Sequence, residues 1–105
     1  MAGMTTYAVT YVYADDAAGL DAHRAEHRAF LRGLHEAGVL RASGPQPAVV
    51  PRDGAPPAGA GALLVLEGDS AGDVLAALDE DPFRKVGLIT ERSAREWNVV
   101  IGGFA

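Results

Sequence analysis

The sequence predicts an α+β fold of the split βαβ, ferredoxin-like kind: an antiparallel sheet with helices packed on one face. Two observations predict it. Hydrophobic periodicity switches between two and about 3.6 residues in the order strand, helix, strand, strand, helix, strand. The breaks between these segments carry residues that start or stop regular structure, namely Asp15-Asp16, Gly38, Gly44-Pro45, Asp69-Ser70 and Gly87. With no internal repeat and no dividing linker, the 105 residues are expected to form one domain, 1–105.

The first strand is Thr6–Tyr13, TYAVTYVY. Tyr7, Val9, Tyr11 and Tyr13 share one face, and Ala8, Thr10 and Val12 the other. Neither face carries a charge, so the strand is expected to be central and covered on both sides. A helix is predicted from Leu20 to Ala37, with Leu20, Phe30, Leu31, Leu34 and Ala37 at helical spacing and Arg24, Glu26, Arg28, Arg32 and Glu36 opposite. Asp21 is placed to favour its N-terminus, and Gly38 to end it in the left-handed conformation.

Val39–Ser43 reads as the second strand and Gly44-Pro45 as a turn. Gln46–Gly61, dominated by Pro, Gly and Ala, reads as a loop. Ala62–Glu67 (ALLVLE) is a short buried strand. Ser70 is a candidate N-cap for a helix that carries Val74, Leu75 and Leu78 and ends near Asp79. Asp81-Pro82-Phe83 opens a further short helix, since proline suits a first turn, and Gly87 closes it. The last strand is predicted from Leu88 or Ile89 to Ile101, with Trp97, Val99 and Ile101 on one face. That length, with an apolar outer sheet face, leaves a surface that a second copy would cover, so the expected partner is the chain itself, as a homodimer.

Composition excludes several functions. Nine Lys and Arg stand against 14 Asp and Glu, a net charge of −5, and no basic run occurs, which argues against a nucleic-acid partner. The absence of cysteine excludes disulfides, thiolate nucleophiles and cysteine-based metal centres. No basic start precedes an apolar stretch, so no signal peptide is expected. The apolar runs fall far short of the ~18 residues of a membrane span. A cytoplasmic protein without a membrane partner is expected.

His27 is the informative residue. It forms a stripe with Phe30, Leu31 and Leu34 at spacings of three and four, so its ring should point inward. Two readings stay open: a hydrogen-bonded core or contact histidine, or a general base whose tautomer a partner fixes. Asp81 is the best carboxylate for that partnership, though its plainer reading is an N-cap. Periodicity does not bring the two together. His23 and His27 have metal-ligand spacing, but HRAEH lacks the acid beside its first histidine and has no evident third ligand, so no metal is expected. The glycines at 59, 61 and 68 lack a phosphate-cradling pattern, and Ser43 and Ser70 lack a nucleophile-elbow context. The alternate tyrosines of the first strand read as sheet packing or as the wall of a pocket.

The segment Arg24–Val49, RAEHRAFLRGLHEAGVLRASGPQPAV, resembles the signature region of the YciI-like (YCII-related) family: a helix with one inward histidine, a glycine stop, a strand and Gly-Pro. Asp81-Pro82-Phe83 resembles that family's second signature, and TYVYADD its opening strand. The resemblance runs roughly from Tyr7 to Val100. It implies a dimeric α/β barrel of ferredoxin-like protomers and a His–Asp pair in a cleft, carried here by His27 and Asp81. It also implies that Arg24 and Ser43 border that cleft. The family's best-understood member eliminates chloride from a chlorinated hydroxyquinol, and related dimeric barrels include muconolactone isomerases and small-ring monooxygenases.

Three functions follow as expectations. The first is a small enzyme of lyase or isomerase type, without cofactor or metal. His27 and Asp81 would be its catalytic residues, and Arg24, Ser43 and Tyr13 would bind a small cyclic or aromatic substrate. The second is a non-catalytic ligand-binding or accessory dimeric module. The third is a dimeric scaffold for a neighbouring protein.

Overall fold

The computed structural model describes residues 4–54 and 59–104. The strand β1 (Thr5–Tyr13) leads to the helix α1 (Ala17–Glu36), then to β2 (Leu40–Gln46) and β3 (Gly61–Gly68). Two shorter helices, α2 (Ala71–Ala77) and α3 (Pro82–Lys85), precede β4 (Ile89–Glu96). The sheet order is β2-β3-β1-β4 with every pair antiparallel, which is the ferredoxin-like arrangement.

The inner position of β1 agrees with its uncharged sequence. Tyr7, Val9 and Tyr11 are buried on the helix side, against Leu64 and Leu66 of β3, Leu20 and Leu31 of α1, Val74 of α2 and Phe83 of α3. The other face is less covered than expected: Ala8 and Val12 are half-buried and Thr10 is exposed, its hydroxyl 2.8 Å from that of Ser93. That outer face is also not uniformly apolar, because β4 presents Glu91, Ser93 and Arg95 there.

Helix α1 begins earlier than its apolar periodicity suggests. Asp16 is the N-cap, accepting a hydrogen bond from the Gly19 amide at 2.9 Å, and Asp21 instead pairs with Arg24. Gly38 takes φ of +81° just past the helix, as expected of the residue that ends it. Gly87, at φ of +78°, does the same after α3, and Ser70 caps α2.

Two boundaries differ from expectation. Gly44-Pro45 is no turn; β2 runs through it to Gln46, with a bulge between Leu40 and Ala42. This strand lies at the sheet edge, where a residue without an N–H is tolerated. At the other edge, β4 stops at Glu96 rather than Ile101. Its partner β1 starts at Thr5, so after the Trp97 amide bonds the Thr6 carbonyl at 2.8 Å no ladder remains, whatever the alternation of Trp97, Val99 and Ile101. The tail instead turns back toward β2. The Phe104 ring meets Trp97 edge-on at 5.8 Å, and its carbonyl accepts from the Arg41 guanidinium at 2.7 Å. No helix among the described residues is long and apolar enough to cross a membrane.

Candidate functional site

The residues that meet between α1, β1 and α3 are far apart in sequence. Asp81 is placed by its role as N-cap of α3: its Oδ1 accepts from the Phe83 amide at 3.0 Å, and Pro82 starts the helix. That cap leaves the carboxylate fully buried and facing His27 of α1. The His27 Nδ1 lies 2.7 Å from Oδ1 and 3.0 Å from Oδ2. A carboxylate only accepts, so Nδ1 carries a proton, and the neutral tautomer compatible with this contact has its lone pair on Nε2. Every buried side-chain nitrogen and oxygen among the described residues has a partner, and Nε2 has none, so Nε2 reaches solvent.

Two aromatic residues fix this geometry. The Phe83 ring stacks on the imidazole at 4.0 Å with 8° between planes. The Tyr11 hydroxyl donates to Asp81 Oδ2 at 3.1 Å. Burial first, and then the charge of Asp81 and its hydrogen bond, hold the Tyr11 hydroxyl far above the ordinary tyrosine range, so it stays a donor. Tyr13, edge-on to Phe83 at 5.4 Å, is likewise raised by burial and then by Asp81, with Arg24 and Arg28 opposing. Asp81 thus receives hydrogen bonds from α1, β1 and its own helix α3.

His27 opens onto a cavity of about 710 Å³ between α1 and the β2 edge of the sheet. Tyr13, Arg24 and Ser43 all line it, so the five residues singled out from sequence gather here, Asp81 lying behind the imidazole. Ser43 faces the helix side because it pairs with Leu64 across the bulged strand. His23 is not among the lining residues, and no group of three metal-ligating side chains exists among the described residues. Sequence reasoning missed Tyr11 as the second partner of Asp81 and missed Arg28, Arg32, His35 and Arg41 as lining residues. The i, i+4 spacing of the helix arginines was the available signal for two of them.

The fold and the cleft together define a ferredoxin-like α+β protein with a buried His–Asp contact at the base of an open pocket. The YCII-related domain family matches residues 5–98, and the chain belongs to that family. No curated protein sequence matches it significantly. Among solved structures, the chain is similar to the 5-chloro-2-hydroxyhydroquinone dehydrochlorinase of Burkholderia phenoliruptrix AC1100 in complex with 2,5-dihydroxybenzoquinone. The TM-score is 0.68 and the identity 22%, over 89% of this chain and 93% of that one.

Proposed function

We propose that the chain is a small enzyme of lyase or isomerase type that needs no cofactor and moves a proton on a small cyclic or aromatic substrate. In this reading Nε2 of His27 takes a proton from a substrate carbon or hydroxyl. The electron pair left behind forms a double bond as a leaving group departs, or the proton returns at another atom. Asp81 holds the imidazole in the required tautomer and stabilises the imidazolium that forms. Tyr13, Arg24 and Ser43 contact the substrate. The observation that carries this reading is the buried 2.7 Å contact of Nδ1 with Asp81, which leaves Nε2 accessible beside the cavity. A dehydrochlorinase, as the similar structure is titled, removes the elements of HCl, a reaction that needs a base and no redox partner.

A substrate screen on the parent, His27→Ala and Asp81→Asn tests it. Loss of turnover of about 10²–10⁴-fold in folded variants is expected. Full retained turnover in both overturns it. The alternative, a ligand-binding module without chemistry, draws on the second duty of Asp81 as a helix cap. Unfolding of His27→Ala, in place of a folded and inactive protein, favours that alternative.

A homodimer belongs to the same proposal. Ala8, Val12 and Leu63 lie half-buried on the outer sheet face, beside a Val65 that is already buried, and Val100 and Ile101 lie exposed beyond β4. Sedimentation that finds only monomer at every concentration overturns the dimer.

A further inference from the structure

The cleft has a charge opposite to that of the chain. Nine basic residues stand against 14 acidic ones over the whole sequence. Yet the cavity lining includes Arg24, Arg28, Arg32 and Arg41, with His27 and His35, and no side-chain carboxylate among the described residues. Three of these arginines follow one another at intervals of four on α1, so they form one row rising about 6 Å per step. Arg24 is engaged with Asp21, and Arg41 with Glu67 at 3.3 Å and with the Phe104 carbonyl. Arg28 and Arg32 make no ion pair or hydrogen bond to side chains or backbone among the described residues. Arg24, Arg28 and Arg32 line the same cavity wall as Tyr13. Beneath the row lie apolar surfaces from Leu31, Leu64 and Phe83.

We propose that Arg28 and Arg32 form an anion subsite, and that the substrate is a small organic acid: an apolar ring or chain whose carboxylate or ionised hydroxyl sits on these two guanidiniums while its body reaches down to His27. The inference rests on the reading of the cleft as a substrate site and names the substrate's charge. A guanidinium presents paired donors that match a carboxylate, and an apolar floor strengthens the attraction relative to open water. A concave cavity of this size suits a small molecule rather than a polymer. The same two charges also face whatever negative charge develops as His27 withdraws a proton, so the subsite serves both binding and turnover.

The test is calorimetric titration with matched pairs, benzoate against benzamide and 4-hydroxybenzoate against 4-hydroxybenzamide, on the parent, Arg28→Ala/Arg32→Ala, Arg28→Lys/Arg32→Lys and His27→Ala. The parent is expected to bind each acid at least about tenfold tighter than its amide, a difference of about 1.4 kcal/mol. That preference should fall on raising salt. It should vanish in the double alanine variant, survive in part in the double lysine variant and persist in His27→Ala. Because both arginines are exposed, the two double arginine variants should keep the parent's thermal unfolding midpoint. Equal binding of acid and amide overturns the proposal, as does an unchanged preference in the double alanine variant. So does failure of both acids to bind, or capture of an oligonucleotide with no preference among small acids. Retained acid preference with no turnover in any screen would remove the catalytic reading and leave the subsite standing.

Discussion

At the base of the cleft Asp81 is fully buried and takes hydrogen bonds from three elements, while at its rim Arg28 and Arg32 are exposed and engage no side chain or backbone group of the described protein. The base is over-determined: helix cap, tyrosine and histidine each fix the carboxylate, and a stacked phenylalanine fixes the imidazole. The rim is under-determined, with long side chains free to adapt to a ligand. In the proposed reading, the proton-transferring group at the base must be held within a fraction of an ångström, whereas the charged binding groups at the rim can find their partner by moving. Stability and chemistry should therefore reside in the base, and selectivity in the rim.

Substitutions can break that contrast, and the largest effect is expected at Asp81. Asp81→Ala strands three buried donors and should cost about 3–5 kcal/mol in urea unfolding. A loss no greater than that of a surface change would show the base to be loosely held. Next comes Tyr11→Phe, which removes one donor and should cost about 0.5–1.5 kcal/mol. The same variant sharpens the contrast through pH. Because the folded chain keeps the Tyr11 proton above the ordinary value of 10.0, the unfolded chain ionises first as pH rises. The stability tied to the neutral hydroxyl is thus complete below that value and is lost progressively above it. Unfolding curves taken through the alkaline range should decline more steeply for the parent than for Tyr11→Phe. The smallest effect is expected at the rim, where Arg28→Ala should shift stability by no more than about 0.5 kcal/mol. A larger shift there would mean that the rim is part of the framework.

Much of this architecture was legible in the sequence because it depends on local physics. The face shared by Tyr7, Val9, Tyr11 and Tyr13, the stop at Gly38 and the proline-led turn at Asp81 each follow from spacing or backbone geometry within a few residues. The inward stripe through His27 was legible for the same reason. The meeting of His27 with Asp81, 54 residues apart, came from family resemblance and not from periodicity, and the Tyr11 contact across 70 residues had no local signal at all. The misplaced end of β4 shows a second limit. Alternation at Trp97, Val99 and Ile101 indicates a surface ready to pair, but only a neighbouring strand makes it a strand, and β1 has none left to offer beyond Thr6. Gly44-Pro45 misled for a related reason, since whether proline breaks a strand depends on whether that strand lies at an edge.

Under the proposed acid–base reading, the convergence of three distant segments on one carboxylate has a consequence for how the molecule would acquire activity. A partly collapsed chain that holds α1 against the sheet but has not yet docked Asp81 has an imidazole with neither orientation nor counter-charge. Competence should then arrive late and all at once, so that recovery of turnover during refolding tracks the final burial of Tyr11 rather than the earlier gain of helix.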